Sequence, residues 1–188
     1  YKVKLSGDYS SNATFNLTKI TLAGSPDGAT KAFYTSGKID LSKTNTASDL
    51  WSEYATARQN FDWFSGSSTV TGTDLKHPND NRAENEDYLF VIPQNFSEKI
   101  GEAQNPDKLY VIVEYTITYK DGKEQTNKVY KQIKRHFLQG KAYNLNLTIG
   151  LPIEFDVDIT TGVEGWGTDE EINIGSNDDN PWDGIESK

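Results

Sequence analysis

Strict alternation of apolar and polar residues is the feature that most constrains the fold of this chain. The clearest case is the stretch 109–120, in which every second side chain is apolar or aromatic. Successive side chains of a β-strand point to opposite faces, so one set of side chains should face a core. The inward set is Leu109, Val111, Val113, Tyr115, Ile117 and Tyr119. The stretch is therefore predicted to be a strand with one buried face.

The dipeptide Asp121-Gly122 follows this strand directly, and Asp-Gly is a strong signal for a tight hairpin turn. The returning run is less clear, because Val129, Ile133 and Phe137 are spaced four apart, which a helix could also use. We prefer a strand here, because the turn joins this run to a well-defined strand.

The same two-residue period governs residues 143–159. The predicted inward residues are Tyr143, Leu145, Leu147, Ile149, Ile153, Phe155, Val157 and Ile159, and the outward polar ones include Asn144, Asn146 and Thr148. Glu154, Asp156 and Asp158 also fall on the outward face. Paired carboxylates can perform acid–base chemistry, but only where one of them is strongly perturbed. Alternation instead predicts that these three lie on the wet side of a strand.

Earlier segments follow the pattern. Tyr1, Val3 and Leu5 alternate with lysines, and residues 31–41 suggest one or two short strands. Residues 15–24 form a strand whose apolar phase shifts, which predicts a bulge near Thr18-Lys19. The run YLFVI, residues 88–92, is typical of a strand covered on both faces, and Pro93 should then interrupt pairing.

One stretch, TASDLWSEYATAR (residues 46–58), is predicted to be a helix. Thr46 and Asp49 resemble a capping box, and Leu50, Tyr54 and Arg58 would share a face. The surrounding residues 45–87 are interpreted as a long surface insertion. About seven or eight strands with one or two short helices indicate an all-β, antiparallel β-sandwich over residues 1–166.

Charge is unevenly distributed along the 188 residues, whose net charge is −9. The segment 167–188 carries seven acidic residues against Lys188, a net charge of −6. The body is nearly balanced, which disfavours nucleic-acid binding. The clearest basic run, residues 128–136, is interpreted as a solvated strand face. There is no cysteine, which excludes disulfides and thiolate metal sites. No apolar run approaches the roughly 18 residues that span a bilayer.

Candidates for chemistry are few. The histidines are His77 and His136, and no nucleophile elbow, zinc-protease motif or phosphate-binding glycine loop accompanies them. The Asn- and acid-rich stretches 79–87 and 177–184 do not fit the calcium-loop pattern. We therefore expect no enzyme activity, no metal and no cofactor.

Aromatic residues offer an alternative, a sugar-stacking platform. The tryptophans are Trp51, Trp63, Trp166 and Trp182, and Trp51 and Trp63 are the candidate glycan contacts. Four N-x-[ST] triplets occur, at Asn12, Asn16, Asn95 and Asn146. They matter only if a eukaryotic secretory pathway made the protein.

The acidic segment 167–188 contains Ile172, Asn173 and Ile174, enough for one short strand. Three alternatives stay open for it: disorder, closure of the sheet of its own domain, or addition to the sheet of a neighbouring molecule.

The order of three elements resembles the fimbrillin family of Bacteroides-type bacteria. These elements are YLFVIPQ (residues 88–94), LYVIVEYTITYKDGK (109–123), and FLQGKAYNLNLTIGLPIEFDVDI followed by VEGW (137–166). The resemblance covers roughly residues 88–166, and residues 15–24 extend it more weakly toward the N-terminus.

The resemblance implies transthyretin-like Greek-key sandwich domains, export to the outer membrane as a lipoprotein, and assembly by strand donation between subunits. We accordingly expect a cell-surface structural or adhesion protein, a subunit or accessory component of a pilus. Its partners would be other pilus subunits or itself, together with a host or bacterial surface ligand. The chain is short for a two-domain subunit and lacks the lipid-bearing Cys. We therefore expect it to be a processed C-terminal domain or a reduced relative, with the lipid anchor on a preceding segment.

Overall fold

A computed structural model describes residues 1–44, 50–78, 88–97, 107–151 and 156–161. Within these ranges the chain is built from strands, and no helix occurs in them. The strands are β1 (Lys2–Leu5), β2 (Ala13–Ala23), β3 (Phe33–Tyr34), β4 (Lys38–Ile39), β5 (Trp51–Ser52), β6 (Arg58–Gln59), β7 (Phe61–Val70), β8 (Gln94–Asn95), β9 (Tyr110–Tyr119), β10 (Glu124–Gln132), β11 (His136–Phe137), β12 (Tyr143–Ile149) and β13 (Asp156–Thr161). The all-β prediction is confirmed.

Two sheets form the body of the molecule. One has the order β10-β9-β2-β7 with antiparallel neighbours throughout, and the other has the order β1-β12-β13. In the second sheet β12 and β13 are antiparallel, but β1 runs parallel to β12. The sandwich is therefore antiparallel except for the β1–β12 pair, whereas the sequence predicted antiparallel pairing throughout. No hairpin joins β1 to β12, because the two strands are far apart in the sequence. The long connection between them allows the strands to run parallel.

The core lies between these two sheets. One large cluster of buried side chains takes members from both, including Leu17, Val113 and Ile117 from the four-stranded sheet and Leu147 and Ile149 from the three-stranded one. All five are fully buried. The predicted inward faces of β9 and β12 are thus the faces that meet, which confirms the β-sandwich.

The hairpin between β9 and β10 is also confirmed. The N–H of Tyr119 donates to the carbonyl of Lys123 at 2.8 Å, and Gly122 takes the positive φ of 83° that the turn needs. The returning run is a strand, with Ile133 buried and Val129 packed against the core.

Strand β2 contains the predicted bulge. Its pairing with both neighbours shifts register between Leu17 and Lys19. The extra residue, Thr18, donates its hydroxyl to the carbonyl of Glu114 at 2.9 Å. The bulge lets the two apolar pairs on either side of it face the same core, and all four of these side chains are buried: Phe15, Leu17, Ile20 and Leu22.

The helix predicted over residues 46–58 is wrong in its described part. Trp51 and Ser52 form β5, which pairs with β4, and Arg58 and Gln59 form β6, which pairs with β3. Pairing with distant strands overrides the local helical spacing. The capping-box residues Thr46 and Asp49 lie outside the described residues.

The predicted surface insertion 45–87 is also partly wrong. Residues 61–70 form β7, an edge strand of the four-stranded sheet. Its Ser- and Gly-rich sequence looked like a loop because one face of an edge strand is open to water, while Phe61, Trp63 and Phe64 still pack against the core. Residues 79–87 and the boundary between residues 166 and 167 lie outside the described residues.

Residues 88–92 do not form the doubly covered strand that their apolar sequence predicts. No strand is assigned to them; Leu89 and Val91 pack against the core, whereas Phe90 is 93% exposed. The sequence predicted burial correctly for one side of this segment, but no described layer covers the other.

No helix in the described ranges is long and apolar enough to cross a membrane.

One buried hydrogen bond links the two sheets, and it gives a testable prediction. The hydroxyl of Tyr115 donates to the carbonyl of Gly150 at 2.9 Å, and both residues are buried. Tyr115→Phe leaves that carbonyl unsatisfied and should lower the free energy of unfolding by about 1–3 kcal/mol. Tyr130→Phe is the control, because its hydroxyl makes no hydrogen bond within the described residues. Urea unfolding of both variants measures the difference, and equal losses would contradict the assignment.

Four aspartates close short turns. Asp8, Asp27, Asp40 and Asp121 each accept the backbone N–H of the residue two positions later, at 3.0–3.1 Å. Each pKa is lowered, chiefly by a side-chain hydrogen bond from Ser10, Ser25, Ser42 or Lys123 respectively, and then by the backbone N–H.

These lowered pKa values predict acid sensitivity. The folded-state pKa lies below the unfolded value of about 3.9, so the stabilisation is present above that pH and is lost as pH falls through the folded pKa. We expect the melting temperature to fall below about pH 4. The double variant Asp8→Asn and Asp40→Asn keeps the acceptor oxygens but has no carboxyl group to titrate at these two positions. Its melting temperature should therefore fall less on acidification. Thermal melts between about pH 7 and about pH 2 test this, and superimposable profiles for the two proteins would refute it.

Candidate functional site

The sheet edges are the first candidate site. In the three-stranded sheet the outer strands are β1 and β13, and in the four-stranded sheet they are β10 and β7. An edge strand presents backbone N–H and C=O groups that can pair with another chain.

Strand β1 fills a slot between β12 and residues 72–76. It pairs with β12 on one side, while Val3 exchanges two backbone hydrogen bonds with Lys76 on the other, at 2.8 and 3.1 Å. The N–H of Leu5 donates to the carbonyl of Gly72 at 2.9 Å. Only two β1 side chains are buried, Val3 and Leu5. A strand of four residues is therefore held mainly through its backbone and two apolar anchors.

An aromatic group closes one end of this slot. The Tyr1 ring lies 4.8 Å from the Trp63 ring and 4.8 Å from the His77 ring. Trp63 also packs against the core. Of the two predicted glycan contacts, Trp63 is thus part of the packing around β1.

Trp51 lies in different surroundings, in a partly exposed aromatic surface with Tyr34 and Tyr54, where the half-buried Trp51 and the exposed Tyr54 both flank Gly37. The Tyr34 and Tyr54 rings are stacked 4.4 Å apart with an interplanar angle of 19°. The Trp51 indole N–H donates to Gln139 Oε1 at 2.8 Å. Tyr54 is 38% exposed, and burial raises its pKa, with a further contribution from Tyr34. Sequence reasoning missed Tyr34 and Tyr54 as members of this surface, because stacking joins residues twenty positions apart.

A network of charged and polar side chains contacts the Tyr34 ring and holds this part of the aromatic surface in place. The Arg58 guanidinium lies 3.7 Å from the Tyr34 ring centre and pairs with Asp107 at 3.2 Å. Gln94, which is buried, donates to Asp107 at 3.0 Å and to the carbonyl of Ala32 at 3.1 Å. Arg58 also donates to that carbonyl, at 2.8 Å. The Pro-Gln pair noted in the sequence therefore has a structural role, since Gln94 ties three segments together.

Backbone geometry around Trp51 is strained at one position. Glu53 has a φ of 47°, in the left-handed region that non-glycine residues rarely occupy. Its carboxylate pairs with the ammonium group of Lys38 across the ribbon formed by β4 and β5. The ribbon thus holds Trp51 and Tyr54 on either side of a fixed turn.

Of the carboxylate residues on the predicted wet face, the structure describes only the backbone of Asp156 and Asp158. Asp156 and Asp158 lie opposite Thr148 and Asn146 in the backbone register of β12 and β13, and Glu154 lies outside the described residues. His136 is exposed on β11, far in sequence from His77. Within the described ranges, no three His, Asp or Glu side chains are grouped as metal ligands.

The N-x-[ST] asparagines lie in varied settings. Asn16 donates to Ser67 Oγ at 2.8 Å, and Asn95 accepts the N–H of Ser97 at 2.9 Å. Asn12 is exposed, and Asn146 is half-buried on β12. Ile172, Asn173, Ile174, Trp166, Trp182 and the acidic stretches 79–87 and 177–184 lie outside the described residues.

Comparisons with known proteins reach only the level of fold. No protein-family model and no curated protein matches the chain. The crystal structure of a fimbrial protein from Bacteroides vulgatus ATCC 8482 matches with a TM-score of 0.50 and 15% sequence identity. The match covers 88% of this chain and 52% of the fimbrial protein, so the chain spans about half the length of that neighbour. The fold of this chain is therefore fimbrillin-like.

Proposed function

We propose that this chain is a structural component of a bacterial surface fimbria, as a subunit or an accessory protein. The fimbrillin-like sandwich carries the proposal, because a fold shared with a fimbrial protein, and built on two packed sheets in the described residues, suits a mechanical role. Its place would be the cell surface, its partners other fimbrial subunits, and its task adhesion or scaffolding rather than catalysis.

We propose further that subunits associate by strand addition. The supporting observation is the β1 slot, where a short strand is held by backbone hydrogen bonds and the two anchors Val3 and Leu5. The tail residues Ile172 and Ile174 repeat that apolar spacing around Asn173. A donated strand from a neighbour would take the place of β1, with alternate side chains in the same two positions and its backbone paired with β12.

Self-association over a concentration series tests this proposal. The full chain should form oligomers as its concentration rises, whereas the double variant Ile172→Ser and Ile174→Ser should stay monomeric, because it loses both apolar anchors. Deleting residues 167–188 should act likewise, with the circular dichroism spectrum unchanged. Light scattering coupled to gel filtration provides the measurement. The matched control Asp178→Ser and Asp179→Ser changes the same tail outside the strand and should still associate. Oligomers of the tail-deleted chain would rule out donation by the tail.

A second candidate function, carbohydrate binding, is favoured by the stack of Tyr34 and Tyr54 near Trp51, in which the Tyr54 ring is 38% exposed and Tyr34 is half-buried under Arg58. Aromatic faces flanked by polar side chains suit the apolar faces of sugar rings. In this arrangement Tyr54 joins the predicted contact Trp51, whereas the other predicted contact, Trp63, packs beside Tyr1.

Affinity electrophoresis in gels containing polysaccharides tests this candidate. If it is right, a polysaccharide that retards the chain should no longer retard Tyr54→Ala, because the exposed ring of the stack is lost. Trp63→Phe should bind normally, since Trp63 packs beside Tyr1. Equal retardation of Tyr54→Ala and the unmodified chain would reject the aromatic surface as the site.

A further inference from the structure

Among the described residues, 88–92 form a backbone edge without a strand partner. Leu89 and Val91 pack against the core, whereas Tyr88 and Phe90 are 50% and 93% exposed. These side chains therefore alternate as in a strand. Within the described part of the chain, however, the backbone of residues 88–92 makes no hydrogen bond.

A backbone edge of this kind favours the binding of a further strand that covers it. The segment contains five apolar or aromatic residues and no charge. Backbone groups left without protein partners beside an apolar surface favour the addition of another strand, and native proteins normally cover or charge such edges. The occupant has to supply backbone donors and acceptors together with apolar side chains at alternate positions.

The basic run 128–136 ends beside this edge, where the carboxylate of Asp107 also lies, 3.0 Å from Gln94. Strand β8 directly follows the segment and pairs with β11, which lies at the end of the basic run 128–136. The N–H of Phe96 donates to the carbonyl of Arg135 at 2.9 Å. Four cationic residues and no acidic one occur in the run. The chain segment of opposite charge is the tail, residues 167–188, with a net charge of −6.

The chain leaves β13 close to this edge. Thr161, the last residue of β13, lies opposite Tyr143. The Tyr143 ring lies 4.7 Å from the Phe137 ring, and Phe137 is paired with Gln94, two residues after the open segment. The ten residues between Thr161 and Ile172 span up to about 33 Å when extended. The tail can therefore reach the edge of its own molecule.

We propose that in the free subunit the acidic tail pairs with residues 88–92 of its own chain, with Ile172, Asn173 and Ile174 as the added strand. This inference rests on the proposed strand donation and adds its regulation. A tail bound in this way is withheld from neighbours. An intrachain partner acts at an effective concentration in the millimolar range, so the tail stays on its own molecule until neighbours are comparably concentrated.

Disulfide trapping in the full chain tests the contact without requiring assembly, and the natural absence of cysteine leaves only engineered thiols to react. The double variant Phe90→Cys and Ile174→Cys should form an intrachain disulfide in dilute, monomeric protein. The control Lys120→Cys and Ile174→Cys should not form one, because Lys120 lies at the tip of the β9–β10 hairpin. The other end of β9 is the end near residues 133–137, since the N–H of Ile133 donates to the carbonyl of Leu109 there. Disulfides only between molecules, none at all, or equal amounts in the control would overturn the inference.

A charge-matched pair of variants tests the regulation. Phe90→Glu should repel the acidic tail and lower the midpoint concentration of self-association by about tenfold or more. Phe90→Lys changes the same exposed side chain but attracts the tail. It should therefore stay monomeric up to at least the concentration at which the unmodified chain associates. If Phe90→Glu weakens association instead, the edge receives a neighbour's strand and the inference fails. It also fails if the two variants behave alike. Loss of association in the tail variants, by contrast, tests only the proposed function.

Discussion

Burial of alternate side chains from facing strands is the interaction on which the rest of the structure depends. The inward residues of β9 and β12 are buried, apart from Tyr119 and Tyr143 at the strand ends, which are partly buried. Each fully buried aliphatic side chain contributes about 1.5–3 kcal/mol relative to an exposed one. The bulge in β2 and the turn at Gly122 both preserve this arrangement, one by restoring the apolar phase and the other by returning the chain in register. The Tyr115 hydroxyl adds a hydrogen bond across the layers.

A core of this kind leaves the edges and ends of the sheets for interactions. Strand β1 is bonded on both sides but contributes only Val3 and Leu5 to the core. Residues 88–92 contribute Leu89 and Val91, and their backbone makes no hydrogen bond within the described ranges. Both segments are extensions of the sandwich rather than parts of its centre.

The sequence predicted the centre well and the margins poorly. Alternation identified β9, β12 and the bulge, because buried strands record their two faces directly in their residues. It failed for residues 61–70, where an edge strand exposes one face and Ser and Gly replace the apolar residues. It failed for residues 46–58, where the spacing of Leu50, Tyr54 and Arg58 matched a helix. There, the cross-strand partners of Trp51 and Arg58 decide the conformation. The aromatic stack was missed because Tyr34 and Tyr54 meet only through folding.

By itself the sequence determined which side chains face the core, where the hairpin turns and where the acidic charge is concentrated. These are local properties, fixed by residue type and a two-residue period. Tertiary structure alone decided that β1 runs parallel to β12, that Arg58 and Gln94 meet at Asp107, and that residues 88–92 find no strand partner in the described part of the chain. Each of these depends on which distant segments come together. The identity of a residue does not specify which distant residue it contacts, because the packing of the whole chain determines those contacts.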